Sequence, residues 1–554
     1  MTAPEGDLDA RLQRARTIDW RFALPDPAPT TVMTSGRVPR QVAEAMAEAG
    51  WQTATAEADL AVTFEPDDAA LRAALTALRD DGTLCVMWRR RLGRFPRRGV
   101  ASRSGTAADL RRRGLEVRWH VLVPNASATG AIVPLTTPQP LELLLRRRSG
   151  VTGSRAARWL AELLRRYGLL VRLAPAVLLV AHRRLAAGPR VGGAVTEPRI
   201  AAPRGSDAIS RHLADLRLHD PGLPIPERHG PPLLLTPRFR ASRHVVALVP
   251  QGDGRDQGPL RSEDPALVLK VARVADRGEV ARREAAALER IAAGPERWRA
   301  SAPALVHLGR PWDLPTLVET AVSGRPLDPA MVRRDPERAI AAVSGWLVSM
   351  VGSADTPESG AVPAHDRIER LLDAPMTTFM AGWSGREEQP LIDATRAAGD
   401  TVRAARLPVA FEHGDASHPN LLRRSDGSLA AVDWECAEPE GLPLHDLTTF
   451  LAYVAVVRAR TAARHDEGEV IASSLLAADG WAARALAEHS QRIGVESGCI
   501  RALVTISLAR LTMGLAERLE DDRTLPPSAV TVDWLRGHRY HVAWRSVALA
   551  TGPR

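Results

Sequence analysis

Short apolar runs alternate with amphipathic stretches through the first third of the chain. "TTVMTSG" (30–36), "DLAVTFEP" (59–66), "TLCVMWRR" (83–90) and "LEVRWHVLVP" (115–124) have the length and residue types of strands. Between them, "VPRQVAEAMAEAG" (38–50) and "DAALRAALTALRDDG" (68–82) space their apolar residues as helices do. Such alternation predicts an α/β region with a parallel sheet between helices. A further amphipathic helix is expected over 155–170, leading into the apolar run "RLAPAVLLVAHRR" (172–184). The unpatterned, Gly/Pro-rich stretch 186–207 reads as a linker. Beyond it, 233–249 and 266–272 read as strands and 278–292 as a helix. From residue 327 onward helical patterns dominate, broken by one hairpin signal, "NLLRRSDGSLAAVDW" (420–434), with Ser-Asp-Gly-Ser as its turn. The expected organisation is therefore an α/β domain over 1–185, a linker at 186–207, a strand-rich lobe over 208–326 and a helical lobe over 327–554.

Composition narrows this picture. A chain of 554 residues with 45% hydrophobic and 25% charged residues can bury several cores and is not of the disordered class. The net charge of +9 is spread over many arginines, and only three Tyr and seven Phe are present, too few for a base-stacking platform. No nucleic-acid partner is expected. Cys85, Cys436 and Cys499 are far apart and odd in number, which fits a reducing, cytoplasmic setting without a disulfide framework. The charged N-terminus lacks the apolar core of a signal peptide. The longest apolar run, 173–181, falls short of the roughly 20 residues a bilayer requires, so no membrane span is expected.

Two rarities carry the chemistry. Lys270, in "ALVLKVAR", is the only lysine, and Asn125 and Asn420 are the only asparagines. In "FEHGDASHPNLLRRSDGSLAAVDWE" (411–435), Asp415 precedes Asn420 by five positions and Asp433 by eighteen, with the hairpin between the last two. This order suits phosphoryl transfer: one carboxylate takes the proton of an incoming hydroxyl, while an amide oxygen and a second carboxylate hold Mg²⁺ on nucleotide phosphates. The spacing parallels the protein-kinase pattern H-R-D-x-x-x-x-N, with Gly414 in place of the arginine. A compact ammonium at Lys270 fits between phosphate oxygens, with Glu284 in "REAAALERIA" as the partner that holds it. Asn125, in "VPNASATG", reads as a turn residue.

Residues 411–446 resemble the aminoglycoside phosphotransferase and choline kinase family of small-molecule kinases, whose HGDxxxxN motif reads here His413-Gly414-Asp415 and Asn420. Asp433-Trp434-Glu435 and Asp446 follow the same pattern, and the likeness extends upstream through Lys270, Glu284 and 302–327, covering roughly 230–550. It implies an α+β, two-lobed, protein-kinase-like fold and ATP- and Mg²⁺-dependent phosphorylation of a small-molecule hydroxyl. It implies Asp415 as catalytic base, Asn420 and Asp433 as Mg²⁺ ligands, and Lys270 with Glu284 on the ATP phosphates; His413 reads as a brace for the loop. One departure is that "LLLTPRFRASRHVVALV" has no glycine where a phosphate-covering loop is expected. Glu435, Glu438 and Glu440 read either as contacts for a cationic acceptor or as a solvated loop.

Residues 19–184 resemble, more faintly, a class I SAM-dependent methyltransferase-like fold, through "DWRFALPDP", "ALTALRDDGTLCVMWRR" and the closing runs. This implies a Rossmann-like α/β domain, degenerate in its site: one glycine, Gly36, follows the first strand, and only Glu57 stands near the acidic position. The competing functions are an active kinase, a catalytically weak nucleotide-binding scaffold, and a kinase beside a working methyltransferase.

Overall fold

The computed structural model describes residues 8–89, 101–123, 130–148, 163–166, 168–183, 207–237, 242–252, 265–276, 278–352, 361–383, 385–459, 464–519 and 529–550. The expected linker, save Asp207, lies outside the described residues, as do Asn125 and most of the helix expected at 155–170. The chain divides into two compact units: Met1–Gly278 with Val306–Ala321, and Glu279–Leu305 with Val322–Arg554.

The first unit is organised by one sheet of twelve strands. In chain order these are β1 Thr31–Gly36, β2 Gln52–Thr53, β3 Ala58–Phe64, β4 Leu78–Arg89, β5 Leu115–Val123, β6 Ala131–Pro134, β7 Ala176–Arg183, β8 Leu233–Leu235, β9 His244–Pro250, β10 Pro265–Ala272, β11 Leu305–Gly309 and β12 Thr316–Thr320. The spatial order is β11-β12-β10-β9-β8-β6-β5-β7-β4-β3-β1-β2. Strands β2, β1, β3 and β4 run parallel, as the alternating pattern predicts. From β4 through β7, β5, β6, β8, β9 and β10 to β12 every pairing is antiparallel. The join falls at β6 and β8, where Ala131 and Ile132 pair with Leu235 and Leu234.

Period-two alternation sorts the strand side chains onto two faces. Leu60, Val62, Cys85, Met87, Leu178 and Val180 enter one core, which also takes Val245, Ala247, Leu267, Leu269 and Val271 from the far strands. Ala61, Leu84, Val86, Val177 and Leu179 enter the other, beneath Leu71, Ala74 and Leu110 of the covering helices. The first of those helices, Asp68–Ala77, is capped by Asp67, whose carboxylate accepts from Ala70 N (2.7 Å). It ends earlier than the apolar spacing suggests, because Leu78 pairs with Ala58 and starts β4 just ahead of "RDDG".

The second unit is mainly helical, with the predicted hairpin present as Leu421–Arg423 against Leu429–Ala431. Helix Ser497–Leu519 has the length and apolar character of a membrane span, yet 72% of its most apolar window is buried inside the fold. Helix His445–Ala459 is buried nearly all round and forms part of the same core.

Candidate active site

The site in the second unit grows from strand Ala410–Glu412, which pairs antiparallel with Glu438–Gly441. Glu412 is buried, and its carboxylate is satisfied by Arg510 Nη1 (2.8 Å) and Nη2 (2.6 Å) and by Leu442 N (2.6 Å). A bidentate guanidinium and one backbone donor are what a buried charge needs to remain tolerable. The chain then turns at Gly414, with φ +81; a Cβ there would stand 2.1 Å from the Cys436 carbonyl oxygen. Only glycine fits so close to another backbone, which explains Gly414 where the protein-kinase pattern carries arginine.

The turn is held from below by Asp446, whose two oxygens accept from His413 N (2.6 Å) and Gly414 N (2.9 Å). Burial pushes the Asp446 carboxyl up to about 7, helped by the Glu412 charge, while those two N–H groups pull the other way. His413 accepts at Nδ1 from Asp415 N (3.3 Å), so its Nε2 carries the hydrogen given to Val432 O (2.9 Å). Its ring lies 4.6 Å from that of Trp434. Both nitrogens are spent on backbone, which makes His413 a brace, as its sequence context suggests.

Asp415 and Asn420 are brought together directly. Asn420 Nδ2 donates to Asp415 O (3.1 Å) and Oδ2 (3.2 Å), and Ser417 Oγ donates to Asp415 Oδ1 (3.0 Å). The Asp415 side chain is thereby oriented as an acceptor, and the hard oxygen of the Asn420 amide points away from these bonds. Val432 N closes the hairpin on Asn420 O (3.0 Å), setting Asp433 just beyond the second strand. Asp433 adopts φ 72, ψ 61, a left-handed conformation uncommon for a residue with a Cβ and of the kind concentrated at functional sites. The next residue, Trp434, gives its N–H to Glu284 Oε1 (2.9 Å), so buried Glu284 pins the backbone beside Asp433.

Lys270 belongs to the first unit, on β10 between Val246 and Leu317 of its neighbouring strands. Its Nζ lies 3.9 Å from Oε1 of Glu319 on β12, and both side chains are buried. Sequence reasoning missed Glu319, since a lone acid in "LVET" carries no signal until register places it beside the lysine.

Two further groups were also hidden. Burial draws the half-buried Arg518 guanidinium down, but the negative charges around it, Asp415 and Glu435 among them, more than reverse this, keeping it above the ordinary range. Burial and the Asp415 charge push the Tyr540 hydroxyl up. Burial pushes the Cys436 thiol up to about 12, so it stays protonated at neutral pH. Glu438 is taken up by Arg370 (2.5 Å) and Glu440 is exposed, which favours the solvated-loop reading of these two acids.

No protein-family profile and no curated protein matches the chain. It is similar in structure to solved chains, among them the following three. A thermostable mutant of aminoglycoside phosphotransferase APH(4)-Ia is 17% identical, over 58% of this chain and 96% of that one, with a TM-score of 0.34. Choline kinase LicA from Streptococcus pneumoniae is 11% identical, over 62% and 98%, with a TM-score of 0.36. A putative fructosamine-3-kinase from Thermobifida fusca YX-ER1 is 15% identical, over 58% and 96%, with a TM-score of 0.34. Likeness at this level carries no weight beside the side-chain geometry.

Proposed function

We propose that the protein transfers the terminal phosphoryl group of Mg²⁺-bound ATP to a hydroxyl of a small molecule. The supporting observation is the loop itself: Asp415 is fixed as an acceptor by Ser417 and Asn420, and Asp433 is held in a left-handed turn at the end of the adjoining hairpin. Asp415 receives the hydroxyl proton as the oxygen–phosphorus bond forms, a role worth about 10²–10⁴ in rate. Asn420, through Oδ1, and Asp433 would hold the metal. Both are hard oxygen donors. That fits Mg²⁺, which takes one or two protein ligands and completes its shell on water and phosphate oxygens. When bound, it neutralises charge on those oxygens. Lys270, faced by Glu319 from β12, would contact the α- and β-phosphates.

Replacing Asp415 with Ala should abolish phosphate transfer to the accepted alcohol while ATP still binds. The assay is a screen of sugars, amino alcohols and aminocyclitols with Mg·ATP. Turnover by the variant at the wild-type rate removes the assignment, and an inert wild type leaves the nucleotide-binding scaffold.

For the first unit we favour a degenerate methyltransferase-like domain. Its parallel block β2-β1-β3-β4 with covering helices supports the Rossmann-like reading. Ligands of such sheets bind at the carboxyl ends of the strands. There Gly36, at φ +74, is spent on packing, since a Cβ would meet Phe64 O at 2.5 Å, and Ser35 Oγ turns away to donate to Ala70 O (3.1 Å).

A further inference from the structure

The segment Arg16–Ala23 forms a short 3-10 helix in which Arg16, Asp19 and Arg21 are all buried. Their partners lie more than 200 positions away, beside β9 and β10. Arg273 directly follows β10 and extends its ladder, with its N–H on Arg243 O (2.9 Å). Its guanidinium gives Nη1 to Ser242 O (2.9 Å) and Oγ (2.8 Å), and Nη2 to Pro237 O (3.0 Å). Its Nε faces both carboxylate oxygens of Asp19, at 3.0 and 3.1 Å. Arg16 Nη2 donates to the same Ser242 carbonyl (3.1 Å), and Arg21 Nη2 donates to Arg273 O.

One side chain, Arg273, thus ties together the exit of β8, the entry of β9 and the exit of β10. Arg273 is 1% exposed and Asp19 3%, so neither can exchange its partner for water. Lys270 lies three residues upstream of Arg273 on the same chain segment. The stems held by Arg273, Pro237 and Ser242, flank the connection that lacks glycine.

The geometry points to Arg16–Ala23 as a brace, supplied by the N-terminal region, that positions β10 and the stems at Pro237 and Ser242 for the nucleotide phosphates. The inference rests on the kinase reading of Lys270. It gives the N-terminal region a task in phosphate handling that requires no ligand of its own. Asp19 and Arg273 are positioning residues: they act through the strand that carries Lys270.

The test uses the full chain. Asp19→Asn keeps the shape and removes the charge; Arg273→Lys keeps the charge and removes the fork. Both are compared with Trp20→Leu, which disturbs the same short helix, where Trp20 packs edge-on to Trp51, but removes none of the polar contacts of Arg16, Asp19, Arg21 and Arg273. Thermal unfolding, binding of a fluorescent ATP analogue, and KM for ATP against kcat are measured for each. The brace predicts that Asp19→Asn and Arg273→Lys weaken analogue binding and raise the KM for ATP by about tenfold, with kcat little changed. Trp20→Leu should lower Tm as much or more and leave that KM in place. If either brace variant fails to fold, Arg16→Ala, which removes one of the two donors to Ser242 O, supplies the same readout at smaller amplitude. Equal KM shifts in all variants at matched loss of Tm, or none in any, overturn the brace. A wild type that binds no ATP analogue overturns the kinase reading beneath it.

Discussion

The carboxyl end of β1 and the loop after Ala410–Glu412 use the same backbone device to different ends. Each places a glycine in the left-handed region, at φ 74 for Gly36 and 81 for Gly414, hard against another segment's carbonyl oxygen. At Gly414 the close approach is followed by Asp415, Ser417 and Asn420, whose side chains lock onto one another. At Gly36 it is followed by Arg37, Val38 and Pro39, and the helix that begins at Arg40 has no side-chain cap. A tight turn therefore builds a site only when the next few residues carry donors and acceptors that meet. The first unit retains the backbone without the polar groups, and its polar investment lies instead around Asp19 and Arg273.

The sharpest way to break this contrast is Asp415→Asn. An amide keeps the shape and the acceptor for Ser417, gives up the bond from Asn420 Nδ2 and cannot take a proton, so turnover should fall by about 10²–10⁴ while Tm drops only slightly. Full activity would falsify the assignment of the base. Next comes the pair Gly414→Ala and Gly36→Ala. Both force a Cβ into a left-handed position at roughly 1–3 kcal/mol, before any clash is counted. Unfolding should report a loss in each, while kcat per folded molecule should drop only for Gly414→Ala; equal loss of kcat in both would erase the contrast.

A smaller effect concerns Asp446. Its carboxyl is raised in the fold from 3.8 to about 7, so between those values the unfolded chain has lost this proton and the folded protein still holds it. Stability from this group therefore declines as pH rises through that window, by at most about 1.4 kcal/mol per unit, and levels off above it. Asp446→Asn should flatten that part of the stability–pH curve; a parallel curve for wild type and variant would show that Asp446 does not titrate there. The smallest change is expected from Glu284→Gln, which keeps an acceptor for Trp434 N. Tm should hold while kcat falls a few-fold through looser placement of the Asp433 turn. An unchanged kcat would show that the Glu284 contact to Trp434 N does not set the Asp433 turn.

Local features of both units were legible in the sequence. The hairpin followed from Ser425-Asp426-Gly427-Ser428 between two apolar runs, and Glu279–Ala293 from its helical spacing. Asp415, Asn420 and Asp433 stood out because loop, strand and turn deliver them within a single stretch of chain. What stayed hidden depends on distant partners. Nothing in "AIVP" announces that it pairs with "LLL" a hundred residues on, since three or four apolar residues specify no mate. Arg273 is one of 73 arginines, and only the folded chain shows Asp19 against it. Glu319 and Arg518 were invisible for the same reason.

The pairing of Ala131–Ile132 with Leu234–Leu235 also bears on how the gene can be cut. Dividing the chain anywhere in the Gly/Pro-rich stretch would leave each fragment with an unzipped ladder: apolar backbone whose amides and carbonyls have lost their mate. Such fragments should come out of solution or cling to one another, so truncations made to study either half alone would report on stickiness before they reported on function.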